Sequence, residues 1–264
     1  MTEKETYRLP PHPVLREYYP DEDTRRRKVR ALFDASGAHY DWINSVMSLR
    51  TGERYRAEAL ERAGLQAGDK VVDVGCGTGV LAQKAAEIAG PEGCVIGVDP
   101  SPGMLAEARR RGVTVVVGRG EQLPLADGSA DFLSMGYALR HVADLIETFA
   151  EYRRVLRPGG RLLLLEIAPP RSRLGHWFLR LYLKRIVPAI TWLGTRNPQA
   201  RLLMSYYWDT VEQCVPPEAI LDALREAGFE EVKRHVLFGI FGEYTARRPE
   251  EEHRDTRTTA GEPA

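Results

Sequence analysis

Residues 70–79 read Lys-Val-Val-Asp-Val-Gly-Cys-Gly-Thr-Gly, and no other stretch restricts the fold as tightly. A short β-branched run ends in three alternating glycines, and an apolar helical pattern opens at residue 80. Glycine is needed where a backbone turns sharply, or where a ligand must approach without meeting a Cβ. A strand, a glycine loop and a helix in that order form the first unit of a parallel sheet with helical crossovers. The alternation then repeats. Residues 94–98, 113–117, 130–135 and 161–167 read as strands, and 102–111 and 145–156 as helices, with a turn at 157–160. Strands this rich in Val and Leu are buried on both faces. The expected fold class is therefore α/β, with a doubly wound, mostly parallel sheet.

The glycine loop also restricts the ligand. Asp99 ends the second strand, 20 residues beyond Gly79, where a carboxylate can accept the ribose hydroxyls of an adenosine. The spacing is GxGxG rather than the GxGxxG of dinucleotide sites, and Asp73 precedes the first glycine by two residues. Facing a pyrophosphate, that carboxylate would repel charge. Facing the ammonium of a methionine tail, it attracts. S-adenosyl-L-methionine is thus the expected cofactor in preference to NAD. The competing reading is a tight turn capped by Asp73 with no ligand.

Outside the sheet, residues 1–23 are rich in Pro and charge and read as a flexible arm. A helix is expected from Thr24, with Val29, Leu32 and Phe33 on one face, and another over 52–63. Residues 172–212 carry Trp177, Phe178, Tyr182, Trp192, Tyr206, Tyr207 and Trp208 in a helical pattern and read as a lid. A helix over 216–227 stops at Gly228. Two strands, 229–236 and 237–246, close a domain spanning 24–248. Residues 249–264 are polar and read as a disordered tail.

Lys+Arg and Asp+Glu are both 37, so the net charge is zero, which disfavours a nucleic-acid partner. Cys76, Cys94 and Cys214 form no CxxC and have no His cluster beside them, so neither a metal site nor a disulfide framework is expected. The richest apolar stretch, 174–193, is interrupted by Arg180, Lys184 and Arg185 and falls short of the roughly 18 residues of a span. A cytoplasmic protein is expected. Peripheral membrane contact and a homodimer stay open.

With these segments in view, the chain resembles the ubiquinone/menaquinone-biosynthesis C-methyltransferases, within the class I methyltransferases. The resemblance covers residues 28–246. It is carried by Val72 to Gly79, Gly97-Val98-Asp99 with Ser101 and Met104, Glu121-Gln122-Leu123-Pro124-Leu125, and Arg154 to Arg161, of which the glycine loop and the Leu-Arg-Pro-Gly-Gly turn are shared by many class I methyltransferases. Its more specific parts are Phe33-Asp34 with Tyr40-Asp41 and Asn44, and Ala138-Leu139-Arg140-His141-Val142. The chain departs from the family pattern at Arg119-Gly120, Gly136 and His141. The resemblance implies a seven-stranded sheet ending in an antiparallel hairpin, and methyl transfer to a ring carbon of a small hydrophobic, prenylated quinol. Another phenolic acceptor, a lipid amine, or a non-catalytic cofactor-binding subunit remain the alternatives.

A sulfonium methyl needs no metal. It needs an oriented acceptor and a dry site. Loss of a hydroxyl proton makes a quinol ring carbon nucleophilic, and a phenol titrates near 10, so a cation or base must assist. Arg140 is the expected cation, with a structural ion pair to the lid as its competing role. His141 is the expected base, and Tyr40 is expected to contact the acceptor or the sulfonium. Asp41 is expected to fix the helices instead. The expected cofactor contacts are Asp73, Gly75, Cys76, Gly77, Thr78, Asp99, Pro100, Met104, Arg119, Gly120 and Gly136.

Overall fold

A computed structural model of the chain describes residues 8–47 and 51–250, without the side chains of residues 38, 39, 44, 46 and 47. The side chain of Asn44 and the tail beyond residue 250 thus lie outside what is described.

Seven strands form one sheet: β1 (Lys70–Val74), β2 (Cys94–Asp99), β3 (Thr114–Val117), β4 (Ala130–Gly136), β5 (Leu156–Ile167), β6 (Glu230–Leu237) and β7 (Phe241–Arg247). The order is β3-β2-β1-β4-β5-β7-β6. The first five strands pair in parallel and β7 runs antiparallel to both β5 and β6. The chain winds outward from β1 through β2 to β3, then crosses to β4 on the other side of β1. That reversal opens a crevice at the carboxyl ends of β1 and β4, where ligands of such sheets bind.

The sequence of β5 shows how the layers form. Leu162 and Leu164 pack with Val72, Leu133, Phe149 and Leu224 on one face. Leu163 and Leu165 pack with Val71, Phe132, Leu60 and Leu81 on the other. Side chains alternate along a strand, so four consecutive leucines serve two cores. On the first face lie α5 (Leu145–Val155) and α9 (Pro217–Glu226); on the second lie α2 (Gly52–Arg62) and α3 (Val80–Ala89). The helix α4 (Pro102–Arg110) covers β2 and β3.

A third core stands above the strand ends. It joins α1 (Glu22–Met47) to the segment after β5, which folds into α6 (Arg173–Leu181), a π-helical turn (Tyr182–Ile186), α7 (Val187–Thr195) and α8 (Pro198–Glu212). Val29 and Leu32 of α1 meet Leu183, Leu203, Tyr206 and Trp208 there.

Three expectations need correction. The described part of the supposed arm is packed. Leu15, Tyr19 and His12 are buried, the Leu9 N–H donates to Asp144 at 2.6 Å, and the Tyr18 hydroxyl donates to Asp209 at 2.6 Å. Prolines at 10, 11, 13 and 20 hide helical periodicity without preventing packing. The expected turn at 157–160 is an irregularity within β5, whose partners on β4 jump from Ala130↔Leu156 to Phe132↔Arg161. The last hairpin turns at residues 238–240, where Phe238 (φ 53°) and Gly239 (φ 72°) are left-handed, so β7 starts four residues later than the apolar run suggested.

Candidate active site

The loop after β1 is shaped by positive φ angles at Gly75 (64°) and Gly77 (54°). A Cβ on Gly75 would lie 2.6 Å from the Ala138 Cβ, so only glycine lets the loop lie against the end of β4. A Cβ on Gly77 would meet nothing; there the backbone conformation requires glycine, and the space beside it belongs to the crevice. The Gly75 and Cys76 N–H groups donate to the Val98 carbonyl at 2.7 and 3.1 Å, which ties the loop to β2.

Two carboxylates of α1 brace this end of the sheet. Asp41 accepts from the Thr78 hydroxyl at 2.5 Å and from Arg111 at 2.6 Å. Asp34 accepts from the Ser101 hydroxyl at 2.5 Å and the Gly103 N–H at 3.0 Å. The Phe-Asp…Tyr-Asp pattern therefore encodes clamps from α1 onto the glycine loop and the start of α4.

Above the loop lies a cavity of about 550 Å³. Asp73, Gly75, Cys76, Gly77, Thr78, Asp99, Pro100, Met104, Arg119, Gly120, Gly136, Tyr40 and His141 all line it. Arg140 does not. It is fully buried beneath the cavity, ion-paired with Glu166. Its guanidinium carbon stands 4.6 Å from the centre of the Tyr207 ring of α8. The expectation of a substrate-facing cation fails here, because the acid at the end of β5 draws the guanidinium away from the cavity. Of the competing role, the structural ion pair is present but runs to Glu166 of β5, and the lid is met through the Tyr207 ring. Glu166 also accepts from the Leu139 N–H at 2.9 Å, so the pair fixes the 3₁₀ turn Leu139–His141 that presents His141.

Asp73 is 1% exposed. One of its oxygens accepts from the Ser134 hydroxyl at 2.7 Å; the other has no hydrogen-bond partner among the described residues. Burial pushes this carboxyl up to about 7. An orphaned buried acceptor is costly, and one on a cavity wall matches a cationic ligand group. Asp99 accepts from the Gly77 N–H at 2.9 Å and the Ser101 N–H at 2.8 Å, and burial pushes it up to about 6. Each of its oxygens keeps a lone pair for a hydroxyl. An ammonium acceptor, a glycine cradle and a ribose acceptor in one cavity fit S-adenosyl-L-methionine.

Cys76 is a packing residue as well as a wall of the cavity. Its sulfur lies where a Cβ on Gly97 would come within 2.7 Å, and burial raises its thiol well above the usual range. Glu121 accepts from the Ala143 N–H at 2.5 Å and so holds its own loop. His141 stacks on Tyr206 at 5.7 Å and meets Phe33 edge-on at 5.2 Å. Burial, and then Arg140, Arg25 and His12, hold its pKa well below the ordinary value, so the imidazole is neutral. Tyr40 packs edge-on against Phe33 at 6.0 Å.

Two wall residues escaped the sequence reading. Tyr137, directly after β4, has φ 60°, an uncommon backbone for a bulky residue and a frequent companion of functional sites. Arg56 of α2 stands over the Tyr137 ring at 5.2 Å and lines the cavity. Nothing in the sequence announces either. Arg56 is one of three arginines in α2, and the apolar periodicity of that helix does not single it out.

Comparison with known proteins agrees with this geometry. The model of the ubiE/COQ5 methyltransferase family matches residues 21–247. A demethylmenaquinone methyltransferase of Symbiobacterium thermophilum is 35% identical over 83% of this chain and 91% of its own. That of Geobacillus kaustophilus is 32% identical over 82% and 95%. Among solved structures, a S-adenosylmethionine-dependent methyltransferase of Thermotoga maritima, described as a possible histamine N-methyltransferase, superposes with a TM-score of 0.61 at 25% identity, over 83% of this chain and 99% of its own. The chain therefore belongs to the ubiE/COQ5 methyltransferase family and is a methyltransferase that uses S-adenosyl-L-methionine.

Proposed function

We propose that the chain methylates a ring carbon of a demethylmenaquinol. The observation that carries the acceptor is the shared name of its relatives, whose identity spans nearly the whole domain. The far end of the cavity suits such a molecule. Phe33, Tyr40, Ile167, Leu179, Tyr182 and Phe241 line it, an apolar and aromatic wall for a fused ring and the start of an isoprenoid tail.

S-adenosyl-L-methionine, when bound, supplies an electrophilic methyl on its sulfonium. The remaining work falls to the chain. Asp73 ionises to meet the ammonium of the methionine tail, held in orientation by Ser134. Arg56, which lines the same cavity as Asp73, would take the neighbouring carboxylate. Asp99 accepts the ribose hydroxyls, and Pro100, Met104, Arg119 and Gly120 bound the adenine side. His141, kept neutral, accepts the proton of the quinol hydroxyl, so that the adjacent ring carbon becomes nucleophilic. The carbon–methyl bond forms as the methyl–sulfur bond breaks. The ring hydrogen then leaves to water as a proton, and His141 returns its proton to the oxygen, so the hydroxyl is restored.

The test is a comparison of acceptors with purified protein. A reduced short-tail demethylmenaquinol should be methylated with a kcat/KM at least about a hundredfold above simple phenols or a lipid amine, the discrimination expected of a fitted apolar pocket. Equal or better turnover of a lipid amine or a simple phenol would replace the proposed acceptor.

A further inference from the structure

Among the described residues, nothing covers the face of α6 turned away from the cavity. Leu174, Trp177, Phe178 and Leu181 recur at i, i+3, i+4 and i+7, the spacing of one helical stripe. They are 67%, 54%, 56% and 38% exposed, and no residue of α6 is buried. Trp192 and Leu193 of α7 add to the exposed apolar surface at 41% and 76%. Isolated exposed leucines are ordinary, but a concentration of large apolar side chains marks an interaction site.

Charge says what kind. Residues 168–208 contain seven Lys and Arg and no Asp or Glu, in a chain whose net charge is zero. Lys184 is paired with Asp209 at 2.9 Å and Arg180 stands 3.8 Å from Glu212. Arg173, Arg185 and Arg201 are exposed and lie in the same acid-free segment. An amphipathic helix with aromatic residues on its apolar face and arginines around it lies in the headgroup region of an anionic bilayer. No helix among the described residues is long and apolar enough to cross a membrane, so such contact is peripheral.

The same element reaches the site. Leu179 of α6 and Tyr182 and Leu183 of the π-helical turn line the cavity, while Trp177 and Phe178 project outward. We infer that α6, with the exposed end of α7, is a docking surface for anionic lipid, and that it sets the mouth of the acceptor cavity against the bilayer. The docking stands on surface chemistry alone. Only its use in collecting a lipid-tailed acceptor rests on the proposed function.

The full chain is sedimented with vesicles of phosphatidylcholine containing about a third phosphatidylglycerol, and with pure phosphatidylcholine, at 0.1 and 0.5 M salt. Binding should favour the anionic vesicles and fall about tenfold or more at high salt, as screening shortens the reach of the arginines. The double variants Trp177→Glu/Phe178→Glu and Arg173→Glu/Arg185→Glu should each bind about tenfold or more weakly. Both should keep the parent's melting temperature, its affinity for S-adenosyl-L-methionine and its turnover of a tail-less quinol in solution. No vesicle binding by the parent, or binding that neither variant weakens, overturns the inference. So does a stable dimer by light scattering that Trp177→Glu/Phe178→Glu dissociates, since a second copy would then cover the face. Failure of the parent itself to turn over the tail-less quinol would count against the proposed acceptor and leave the docking result unaffected.

Discussion

Replacing Asp73 with Asn should make the cofactor-free protein more stable and the binding of S-adenosyl-L-methionine weaker. The carboxyl titrates near 7 in the folded chain because it is buried, against 3.8 for an ordinary Asp. Between those values the folded protein holds a proton that the unfolded chain has released, so Asp73 contributes a stability that falls as pH rises. The loss levels off above pH about 7 at about 4 kcal/mol, taking about 1.4 kcal/mol per pH unit. Asn is neutral, keeps an oxygen for the Ser134 hydroxyl, and escapes that loss. Urea unfolding of cofactor-free protein, followed by circular dichroism at pH 5 and pH 8.5, should show Asp73→Asn gaining on the parent by about 2–3 kcal/mol between the two conditions. In the same variant the ammonium of the ligand loses a charged acceptor, which costs about 1.5–3 kcal/mol, or about 10- to 100-fold in Kd. A variant no more stable than the parent at pH 8.5, or one that binds the cofactor undiminished, would refute the reading of Asp73 as a strained ammonium acceptor.

Other consequences follow from the same geometry. Cofactor affinity of the parent should strengthen about tenfold per pH unit as pH rises toward about 7, where Asp73 ionises, and more steeply below about 6, where Asp99 must ionise too; calorimetric titration between pH 5 and 7.5 measures it. Arg140→Met leaves Glu166 buried without its partner and should cost about 3–5 kcal/mol of stability, with cofactor Kd changed less than about threefold, as read by thermal melting and titration. His141→Phe preserves the ring stack on Tyr206 and should lower kcat by about 10²- to 10⁴-fold with little change in cofactor affinity. The parent's rate profile should show no ionisation at the usual histidine value, because His141 is held well below it. Asp41→Ala removes the acceptor shared by Thr78 and Arg111 and should weaken cofactor binding about tenfold through a loosened loop, seen as a raised KM for the cofactor with kcat nearly unchanged.

How much of this was legible in the sequence depends on the range of the forces involved. The sheet was legible because Leu162 to Leu165 and Val71 to Val74 must be buried on both faces, and only crossover helices can bury them. The cofactor loop was legible because positive φ at Gly75 and Gly77 and the acids at 73 and 99 are local requirements. The role of Arg140 was not. Its direction is set by Glu166, 26 residues away, across a turn whose shape the sequence does not state. Tyr137 gave no sign of its left-handed backbone, and Arg56 stood among similar neighbours. The packed segment 8–21 was missed because Pro and charge conceal Leu15 and Tyr19, whose partners lie about 190 residues on.

The most direct measurement is a single turnover with methyl-¹³C-labelled S-adenosyl-L-methionine and a reduced short-tail demethylmenaquinol, followed by NMR of the extracted product. The account predicts the label on the ring carbon, as an aryl methyl, with S-adenosylhomocysteine formed in equal amount. A label on oxygen, or cofactor bound tightly with no label transferred, would contradict it.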